Sequence, residues 1–571
     1  MHNIYSRGNI MYRNFYSEIN NKYISIKELN NIRTKYYNYY KSLKKNLTKE
    51  EKQFKKDYKN INEYIINKNN IYIDNLRNNI DILNNINGYQ LDIYQSRVVL
   101  SNEESTLVIA GAGSGKSLTI IAKIIYLITY CHIDPKSILC ISFTNEATIS
   151  LKEKLLNKYK LDIEVFTFHK LALNILNLNN IEYIISPEDL LDDTIEDFFT
   201  NIIPNNILYY KALNKIINID NINELNNLKR LIKTFINLYK SNNYSLDYFL
   251  YILKNIKYTF NIKEYIINKN ILLLIINIYL LYEYNLNTEK ALDFNDMINK
   301  AINTLKDIGQ CPNWQYIIID EYQDTSITKF ELIKEIINIT KAKLLAVGDD
   351  FQSIYRFTGC NLNIFLNFEK YFNNSKIFPI INTYRNPQEL IDIAGKFIMK
   401  NNKQQKKILK SNKHLDNPIK IYLSNNQIKT FKEILLLNKD KEILVIGRNN
   451  KDINNYLDKE IIQKEDIYIY NNIEFKYLTI HKSKGLESEV VIIINLVDSI
   501  VGLPTKMKDE KILRYVNNTR DYYPYEEERR LFYVALTRTK TYTYLLAPAN
   551  RYSCFIEELI KYKNNIQVIK K

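Results

Sequence analysis

Short apolar runs that end in turn-forming or acidic residues recur along two stretches of the chain. Runs of this length, separated by segments of helical periodicity, are typical of strands buried on both faces of a parallel sheet. Because some runs precede residue 375 and others follow it, the pattern predicts an α/β fold with two parallel-sheet cores. The runs are LVIAG (107–111), SILCISFT (137–144), YIIIDE (316–321), KLLAVGD (343–349), EILVIG (442–447) and VVIIINL (490–496).

Two other stretches lack such runs and show helical patterns. The first, rich in Asn, Lys and Tyr, predicts a helical N-terminal extension, and the second, rich in Leu and Ile, predicts an all-α insertion in the first core. The predicted domains are the extension (1–85), the first core (86–180 and 286–376) with its insertion (181–285), and the second core (377–571) with a short insertion near 400–440.

Composition narrows the class of protein. The longest apolar stretch, ILLLIINIYLLY at 271–282, is shorter than the ~20 residues that a membrane span needs, so we expect a buried helix. The N-terminal residues MHNIYSRGNIMYRN lack the apolar centre of a signal peptide. The five cysteines are scattered without metal-ligand spacing. We therefore expect a soluble cytoplasmic protein with reduced thiols and no membrane partner.

The net charge changes this picture in one respect. Lys and Arg number 79 against 63 Asp and Glu, giving +16, and such an excess favours binding to a polyanion through counterion release. However, tracts such as NNIDILNNING have the Asn and Ile bias that an AT-rich coding sequence also produces. Neither the charge nor the 47 tyrosines therefore identify a nucleic-acid-binding protein by themselves.

A Gly-rich segment follows the first apolar run. LVIAGAGSGKS places a loop between a strand and a helix, where backbone N–H groups can hold phosphates. Lys116 adds a positive charge and Ser117 a hydroxyl for Mg²⁺, although Ala110 stands where the general pattern has Gly. The run YIIID ends in Asp320 and Glu321, which can hold Mg²⁺ and orient an attacking water. Together these motifs predict a nucleoside triphosphatase.

Further motifs follow in a fixed order along the chain. They are LDIYQ (91–95), ISFTNEA (141–147), TFH (167–169), DFND (293–296), DEYQDTS (320–326), VGDDFQSIYRF (347–357), TYRN (383–386), TIHKSKGLE (479–487) and EERRLFYVALTR (527–538). With Ala at the first loop position, this series resembles the UvrD/Rep branch of superfamily 1 helicases. The wording IYRFTG and the segment GLPTKMKDEKILRYV are most similar to helicase IV-like members. The resemblance covers residues 86–548 and implies two RecA-like cores.

The resemblance implies a set of residues that bind ATP. Gln95 would bind the edge of the adenine, Tyr384 would stack on the base, and Glu487 would contact the ribose. The phosphates and Mg²⁺ would be held by the loop and by Asp320, with Ser117 and Asp320 as the metal ligands. The loop residues are Ala110, Gly111, Ala112, Gly113, Ser114, Gly115, Lys116 and Ser117.

The resemblance also implies which residues act in hydrolysis. Gln352 would sense the γ-phosphate, while Arg385 and Arg538 would reach it from the second core as arginine fingers. Such fingers neutralise charge that develops in the transition state, so they work only when the two cores close on ATP. The implied catalytic residues are Lys116, Asp320, Glu321, Gln352, Arg385 and Arg538.

A third set would contact single-stranded DNA. Its three aromatic residues could stack on any base, Thr144 and Asn145 could bind a backbone phosphate, and His169 is a further candidate. Alternatively, the aromatic rings could pack between the two cores, and His169 could be a buried structural imidazole. The set is Phe143, Thr144, Asn145, His169, Tyr355 and Phe357.

Two departures from the family pattern stand out. Relatives near UvrD usually carry an aromatic residue followed by Arg at 357–358, whereas here Thr358 follows Phe357 and the arginine is Arg356. UvrD and Rep also carry a large insertion where this chain has only about 100 residues between Arg385 and Gly485. We expect that second insertion to be reduced or absent, with at most a small helical piece near 400–415.

The resemblance implies an ATP-dependent 3′–5′ DNA helicase or translocase, active in DNA repair, replication or recombination. It would use ATP and Mg²⁺, bind single-stranded DNA and 3′-tailed duplex DNA, and work as a monomer with accessory repair, replication or transcription proteins. Two alternatives stay open. One is an ATPase that remodels RNA polymerase complexes through the N-terminal extension, and the other is a translocase that cannot unwind DNA without a partner.

Overall fold

The computed structural model describes residues 2–44, 47–86, 88–259, 261–401, 404–507, 510–517 and 523–571. The described part of the N-terminal extension contains five helices, and Phe15, Tyr36 and Phe54 form a separate hydrophobic core among them. Ser25 begins the second helix through a capping box with Glu28. The helices are α1 (His2–Ile19), α2 (Ile26–Ser42), α3 (Lys49–Lys59), α4 (Ile61–Arg77) and α5 (Asp81–Asn84). The helical N-terminal extension is therefore confirmed.

The first core starts with alternating helices and strands. Apolar runs such as LVIA and ILCI form its strands, and these are almost entirely buried, as the unbroken hydrophobic pattern requires. The elements are α6 (Ile93–Leu100), β1 (Ser105–Ala110), α7 (Lys116–Thr129), β2 (Ile138–Ile141), α8 (Asn145–Glu153), β3 (Glu164–Phe166) and α9 (Phe168–Leu178).

A helical insertion interrupts the first core, and two short parallel strands pair at its base. Its elements are β4 (Ile184–Ile185), α10 (Leu190–Asp197), α11 (Ile207–Asn214), α12 (Ile222–Ser241), α13 (Asp247–Thr259), α14 (Ile262–Thr288) and β5 (Ala291–Leu292). By length and composition α14 could cross a membrane. However, Leu272, Ile275 and Ile278 of this helix are fully buried in the hydrophobic core of the insertion, as expected for a core helix.

The chain then completes the first core with α15 (Phe294–Ile308), β6 (Tyr316–Ile319), α16 (Ile327–Thr340), β7 (Lys343–Gly348), α17 (Leu362–Leu366), α18 (Phe368–Tyr371) and β8 (Ser375–Ile380). The six strands form one parallel sheet in the order β3-β2-β6-β7-β1-β8. Because β8 pairs with β1, the first sheet crosses the predicted domain boundary at residue 376. The loops after β1, β6 and β7 meet at the carboxyl edge of this sheet, where ligands of open α/β sheets bind.

The second core forms an eight-stranded sheet in the order β11-β12-β13-β10-β14-β15-β9-β16. Its strands are parallel except that β12 runs antiparallel to both neighbours. The elements are α19 (Gln388–Ile398), β9 (Ile419–Ser424), α20 (Gln427–Leu437), β10 (Ile443–Gly447), β11 (Ile462–Lys464), β12 (Ile467–Tyr470), β13 (Ile473–Thr479), β14 (Ser488–Ile493), α21 (Glu526–Leu536), β15 (Thr539–Pro548), α22 (Cys554–Ile560) and β16 (Ile566–Lys570).

The described residues between Arg385 and Gly485 build the second core and form no separate domain, so the predicted loss of the second insertion is confirmed. The prediction allowed at most a small helical piece near 400–415, and none of the described residues of that stretch lies in a helix. Residues 404–413, which we call the strap, are instead fixed by hydrogen bonds with the segment after β8. Lys410 N donates to the carbonyl of Ile381 at 3.0 Å, and the carbonyl of Lys410 accepts from Thr383 N at 2.8 Å.

Two long-range contacts attach the helical parts. Tyr23 of the N-terminal extension donates a hydrogen bond to buried Glu103, just before β1, at 2.6 Å. This contact lies at the sheet edge opposite to the ends of β1 and β6. In addition, residues 510–517 of the second core reach the insertion, where Ile512 and Val516 are fully buried in its hydrophobic core. The insertion is therefore packed against both cores.

Candidate functional site

The loop between β1 and α7 has the backbone of a phosphate-binding turn. Gly113 and Gly115 have φ values of +70° and +78°, in the left-handed region that glycine adopts without strain. A Cβ at Gly113 would lie 2.4 Å from the Cβ of Arg385, so this glycine is also needed for close approach of the second core. Ala110 ends β1 fully buried and lies outside the left-handed region, so no glycine is required there.

Lys116 and Ser117 begin α7, so both lie at the positive end of its helix dipole. Lys116 Nζ lies 3.1 Å from Glu321 Oε1, and its side chain is 12% exposed. A buried ammonium group with a single carboxylate neighbour, placed at a helix N-terminus, can accept a phosphate as a second anionic partner. The arrangement therefore fits the predicted phosphate site.

Asp320 and Glu321 follow β6 and differ in their electrostatics. Burial and the charge of Glu321 raise the pKa of Asp320 to about 6. Burial alone would also raise the pKa of Glu321, but Lys116 and Lys484 outweigh it and lower that pKa to about 2. Glu321 is thus a fixed anion at neutral pH. Asp320 is a carboxylate that would gain from a nearby cation.

The second core contributes two guanidinium groups. Arg385 Nε donates to Glu487 Oε2 at 2.7 Å, and Glu487 also lies 3.3 Å from Lys540. Arg538 is 1% exposed, and its Nη2 donates to Gln352 Oε1 at 3.2 Å. Burial and the neighbouring charge of Arg385 lower the pKa of Arg538 to about 9. Two close cations of this kind create a positive potential that favours an anionic ligand.

Gln95 and Tyr384 lie at the other end of the same cleft. Gln95 is buried, its Nε2 donates to the carbonyl of Ser114 at 3.0 Å, and its Oε1 accepts from Asp92 N at 3.0 Å. One amide N–H and one oxygen lone pair remain, which is what the edge of a base would require. The Tyr384 hydroxyl donates to Asp92 Oδ2 at 2.8 Å while about half of the residue stays exposed.

These groups enclose a cleft of about 930 Å³ between the two cores. Three of the predicted nucleotide residues do not line it. Ala110 is buried in the hydrophobic core at the end of β1, Gly111 lies against Leu409 of the strap, and Asp320 accepts a hydrogen bond from Glu321 N. The other predicted nucleotide residues line the cleft: Gln95, Ala112, Gly113, Ser114, Gly115, Lys116, Ser117, Glu321, Gln352, Tyr384, Arg385, Glu487 and Arg538.

Sequence reasoning missed one part of this cleft. Lys410, Ser411 and Lys413 of the strap line it, and Lys413 Nζ donates to the carbonyl of Arg385 at 3.3 Å. The stretch is one of many Lys- and Asn-rich tracts in the chain, so its composition carried no signal. The structure places the strap beside the phosphate loop, where Leu409 lies so close that a Cβ at Gly111 would be 2.6 Å from Leu409 Cδ1.

Beside the cleft, four rings form a cluster that spans the two cores. Phe143 and Tyr355 stack with their centroids 5.8 Å apart, Phe357 packs edge-on against His481 at 5.4 Å, and Tyr355 donates to the carbonyl of His481 at 3.2 Å. Phe357 is 56% exposed. Tyr355 thus packs at the interface between the cores, as the alternative interpretation held, while Phe357 presents a free face. His481 was not predicted.

The remaining candidates for DNA contact are not members of this ring cluster. Thr144 and Asn145 are exposed at the start of α8, where Thr144 Oγ1 accepts from Ala147 N. His169 packs against Phe294 with centroids 5.1 Å apart. Burial and the charge of Lys329 lower the pKa of His169 to about 4, so this imidazole is neutral at physiological pH, as its structural interpretation requires.

Two arginines that are not among the predicted site residues join the cores beside the ring cluster. Arg356 Nε donates to Glu527 Oε2 of α21 at 2.9 Å, and Arg530 Nε of α21 donates to the carbonyl of Ser353 at 2.7 Å. The displaced arginine at 356, which departs from the UvrD pattern, therefore binds the second core. Arg530 lies in the motif EERRLFYVALTR, from which the predicted site residues include only Arg538.

Comparison with known proteins gives consistent matches over the same residues. A family model of the UvrD/REP helicase N-terminal domain matches residues 91–373, and one of the UvrD-like helicase C-terminal domain matches residues 448–548. Together these matches cover more than half of the chain. The N-terminal extension, α1–α5, precedes both of them.

Several curated relatives are similar over most of the chain. DNA helicase IV of Escherichia coli (strain K12) is 26% identical over 502 residues, which are 84% of this chain and 71% of that protein. A probable DNA helicase II homolog of Mycoplasma capricolum is 30% identical over 67% of this chain and 49% of its own length. ATP-dependent DNA helicase Rep of Buchnera aphidicola subsp. Schizaphis graminum is 29% identical over 72% of this chain and 63% of its own length. The chain thus spans about half to about seven tenths of these relatives.

Proposed function

Because the chain belongs to the UvrD/Rep helicase family, we propose that it is an ATP-dependent DNA helicase that moves 3′ to 5′ along single-stranded DNA. One observation carries the proposal. The hydrolytic groups Lys116 and Glu321 of the first core face Arg385 and Arg538 of the second core across a single cleft. Since neither core holds a complete site, hydrolysis depends on how closely the cores approach each other.

In the proposed reaction, Lys116 and the loop backbone hold the β- and γ-phosphates, and Glu321 accepts a proton from the attacking water. Its low pKa keeps it ionised and therefore able to orient that water through its oxygens. Arg385 and Arg538 neutralise the charge that develops on the γ-phosphate. Gln352 senses the same phosphate and contacts Arg538 directly.

Two side chains at the carboxyl edge of the first sheet have the chemistry of Mg²⁺ ligands. Ser117 offers a hydroxyl, and Asp320 offers a buried carboxylate whose pKa is raised by burial and by the charge of Glu321, so a further cation would stabilise its ionised form. Mg²⁺ is usually held by one or two carboxylates together with substrate phosphates and water, so a larger protein cage is not needed. When bound, the ion would neutralise phosphate charge.

Adenine binding is proposed at the opposite end of the cleft. Tyr384 presents its ring for stacking, the free half of the Gln95 amide can pair with the base edge, and Glu487 lies where it can contact the ribose. Asp92 holds both Tyr384 and the backbone of Gln95. One carboxylate therefore orients the two groups that would bind the base.

Coupling to DNA is proposed through residues 349–357. This segment carries Gln352 in the cleft and Tyr355 in the ring cluster, so a shift at one end reaches the other within a few residues. Lys484 of the second core bridges them, because its Nζ donates to the carbonyl of Gln352 at 2.8 Å and lies 4.9 Å from the centre of the Tyr355 ring. Stacking on Phe357, with Thr144 and Asn145 on the backbone, would hold one strand without sequence preference.

We further propose single-stranded DNA and 3′-tailed duplexes as partners, a monomeric working state, a cytoplasmic location, and roles in repair, replication or recombination. A second candidate function is remodelling of RNA polymerase complexes. It is favoured by the N-terminal extension, which has its own hydrophobic core and lies outside both family matches. Accessory proteins of repair, replication or transcription would then bind there.

The test is ATP hydrolysis measured with no nucleic acid, with single-stranded DNA, and with RNA polymerase, followed by unwinding of 3′- and 5′-tailed duplexes. Strong stimulation by single-stranded DNA with preference for 3′ tails supports the helicase. Stimulation without strand separation supports a translocase that needs a partner, and stimulation by polymerase alone supports the remodeller. Preference for 5′ tails would overturn the polarity, and an absence of hydrolysis in every condition would overturn the proposal.

A further inference from the structure

The strap carries one buried charge that the proposed reaction does not use. Lys407 is 6% exposed, and its Nζ contacts Asp349 Oδ1 and Asp350 Oδ1, whose side chains are fully buried in the first core. Its ammonium group also lies 4.1 Å from the centre of the Phe351 ring. Burying a lysine and two carboxylates is costly unless the charges are paired. The position of Lys407 is therefore closely defined.

The backbone of the strap supports the same contact. Gln405 N donates to Asp350 Oδ2 at 3.1 Å, and Gln404 Nε2 donates to the carbonyl of Asp350 at 3.4 Å. Lys407 is thus held in register with Asp349 and Asp350 by bonds on its N-terminal side. On its C-terminal side, Lys410 is bonded to the segment after β8.

Asp349 connects Lys407 to Gln352, a residue that lines the cleft. Its Oδ1 contacts Lys407, its Oδ2 accepts from Gln352 Nε2 at 2.7 Å, and Gln352 Oε1 in turn accepts from Arg538 Nη2 at 3.2 Å. Four side chains therefore form one polar chain from the strap to the buried arginine. The described residues that line the cleft include Gln352 and Arg538 but neither Lys407 nor Asp349.

The direction of each bond explains what Lys407 contributes. A carboxylate at Asp349 only accepts, so it turns the NH₂ group of Gln352 toward itself and leaves the amide oxygen to face Arg538. Without Lys407, the buried side chains of Asp349 and Asp350 would lie side by side with no cation between them, so Asp349 would lose the contact that fixes its position. Gln352 would then lose the fixed acceptor that orients its amide, and Arg538 would lose a fixed amide oxygen.

We propose that Lys407 is a positioning residue for ATP hydrolysis, which acts through Asp349 to fix the amide orientation of Gln352 and, with it, the placement of Arg538. This inference rests on the proposed ATPase function. Because Lys407 lies outside the cleft, its loss lowers the turnover number more than it weakens ATP binding. Leu409 of the strap lies against Gly111 of the phosphate loop, so Lys407 and Leu409 fix the strap at two points of the first core.

The experiment compares Lys407→Met, which removes the charge at similar length, with Lys407→Arg, which keeps it. In single-stranded-DNA-stimulated hydrolysis we expect Lys407→Met to lower kcat about 10- to 100-fold with KM for ATP changed less than about 3-fold, and Lys407→Arg to recover most of kcat. Lys240→Met is the matched control. Lys240 has a similarly buried side chain and binds Glu283, Asp293 and Asp296, none of which lines the cleft, so its loss should lower the melting temperature without lowering kcat at a temperature where the variant is folded.

A double-mutant cycle tests whether Lys407 acts through the amide of Gln352. Lys407→Met should add little to Gln352→Ala if it acts through that amide, whereas full additivity would overturn the proposal. If Lys407→Met fails to fold, the Lys407→Met/Asp349→Asn double variant is used, because it removes both the lysine and the aspartate charge and should fold. Its kcat should still be lowered. A neutral amide at position 349 can both donate and accept a hydrogen bond, so it no longer fixes one orientation of the Gln352 amide. Wild-type kcat in either folded variant would overturn the positioning role. Failure of the ATPase proposal itself would be recognised separately, by a lack of hydrolysis in the wild-type protein.

Discussion

The nucleotide cleft and the ring cluster share one interface between the cores but are built from different forces. In the cleft, buried cations and carboxylates face each other, and the pKa values of Asp320, Glu321 and Arg538 are all displaced by their neighbours. In the ring cluster, aromatic faces carry the contact and the imidazole of His481, whose pKa is lowered to about 4, is neutral. The cleft therefore presents charged groups that an anionic ligand can contact, whereas the ring cluster presents uncharged aromatic surface.

This difference predicts the size of mutational effects. Removing one charged group from the cleft removes a group that would contact the phosphates or the attacking water, so large losses of hydrolysis are expected. Removing one ring from the ring cluster removes stacking area, so losses are modest and confined to strand binding. The predictions below test this contrast in order of expected effect.

The largest effect is expected for Lys116→Ala. The variant loses the positive charge that would hold the phosphates, so hydrolysis should fall at least about 100-fold. The melting temperature should stay close to that of the wild type, because Lys484 still lies near Glu321 and compensates its charge. Steady-state hydrolysis and thermal unfolding measure both quantities. Wild-type turnover would show that the cleft is not the ATP site.

Glu321→Gln should separate binding from hydrolysis. The amide fills the same space but cannot accept a proton from water, so hydrolysis should fall about 100- to 10,000-fold while a fluorescent ATP analogue still binds. Nucleotide titration and turnover assays distinguish the two. A variant that loses both nucleotide binding and thermal stability would identify Glu321 as a structural partner of Lys116 instead.

A smaller effect, on the binding of single-stranded DNA, is expected when one ring of the ring cluster is removed. Phe357→Ala should weaken single-stranded DNA binding by about 1–3 kcal/mol if one base stacks there, with ATP affinity unchanged. Tyr371→Ala is the control, since Tyr371 is also an exposed aromatic residue but lies on α18 away from the ring cluster. Fluorescence anisotropy with labelled oligonucleotides measures the change. Equal losses in both variants would remove Phe357 from the DNA site.

The smallest effect concerns the two buried imidazoles, His169 and His481. Burial, assisted by Lys329 at His169 and Arg448 at His481, lowers each pKa to about 4. Each pKa is below the unfolded value of about 6.5, so the stabilisation is complete above pH 6.5 and is lost as the pH falls toward 4. At pH 5 the loss is on the order of 1–2 kcal/mol per imidazole.

Melting curves at pH 7.5 and pH 5.5 test this. The difference between the two pH values should be smaller in a His169→Gln/His481→Gln double variant than in the wild type, and His414→Gln, at an exposed position, should behave as the wild type. A double variant with the wild-type pH dependence would show that these imidazoles do not sense pH.

The fold could be predicted largely because its strands are continuous apolar runs that end at polar loops. The same rule located Lys116, Asp320, Glu321 and Gln352, each just after a strand or at a helix start. The strap could not be predicted in this way, because its conformation depends on Asp349, Asp350 and the carbonyl of Ile381, which are distant in sequence. A segment that is held mainly by contacts with distant residues has no local periodicity to recognise.

The ring cluster was predicted only in part for a related reason. Phe143, Tyr355 and Phe357 were identifiable from motifs, but whether a ring faces solvent or the other core depends on how the cores dock. The structure separates Tyr355, which is bonded across the interface, from Phe357, which is exposed. His481 and Arg356 acquire their contacts only through that docking.

The burial of Ile512 and Val516 inside the helical insertion also bears on how the chain folds during synthesis. The helices around them, α10–α14, end by residue 288, yet these two side chains of their hydrophobic core are translated more than 200 residues later. At the usual elongation rates of about 5–20 residues per second, the insertion waits on the order of 10–50 s for them. During that interval its apolar interior lacks two of its members. A chaperone that holds the nascent chain would find its binding surface there.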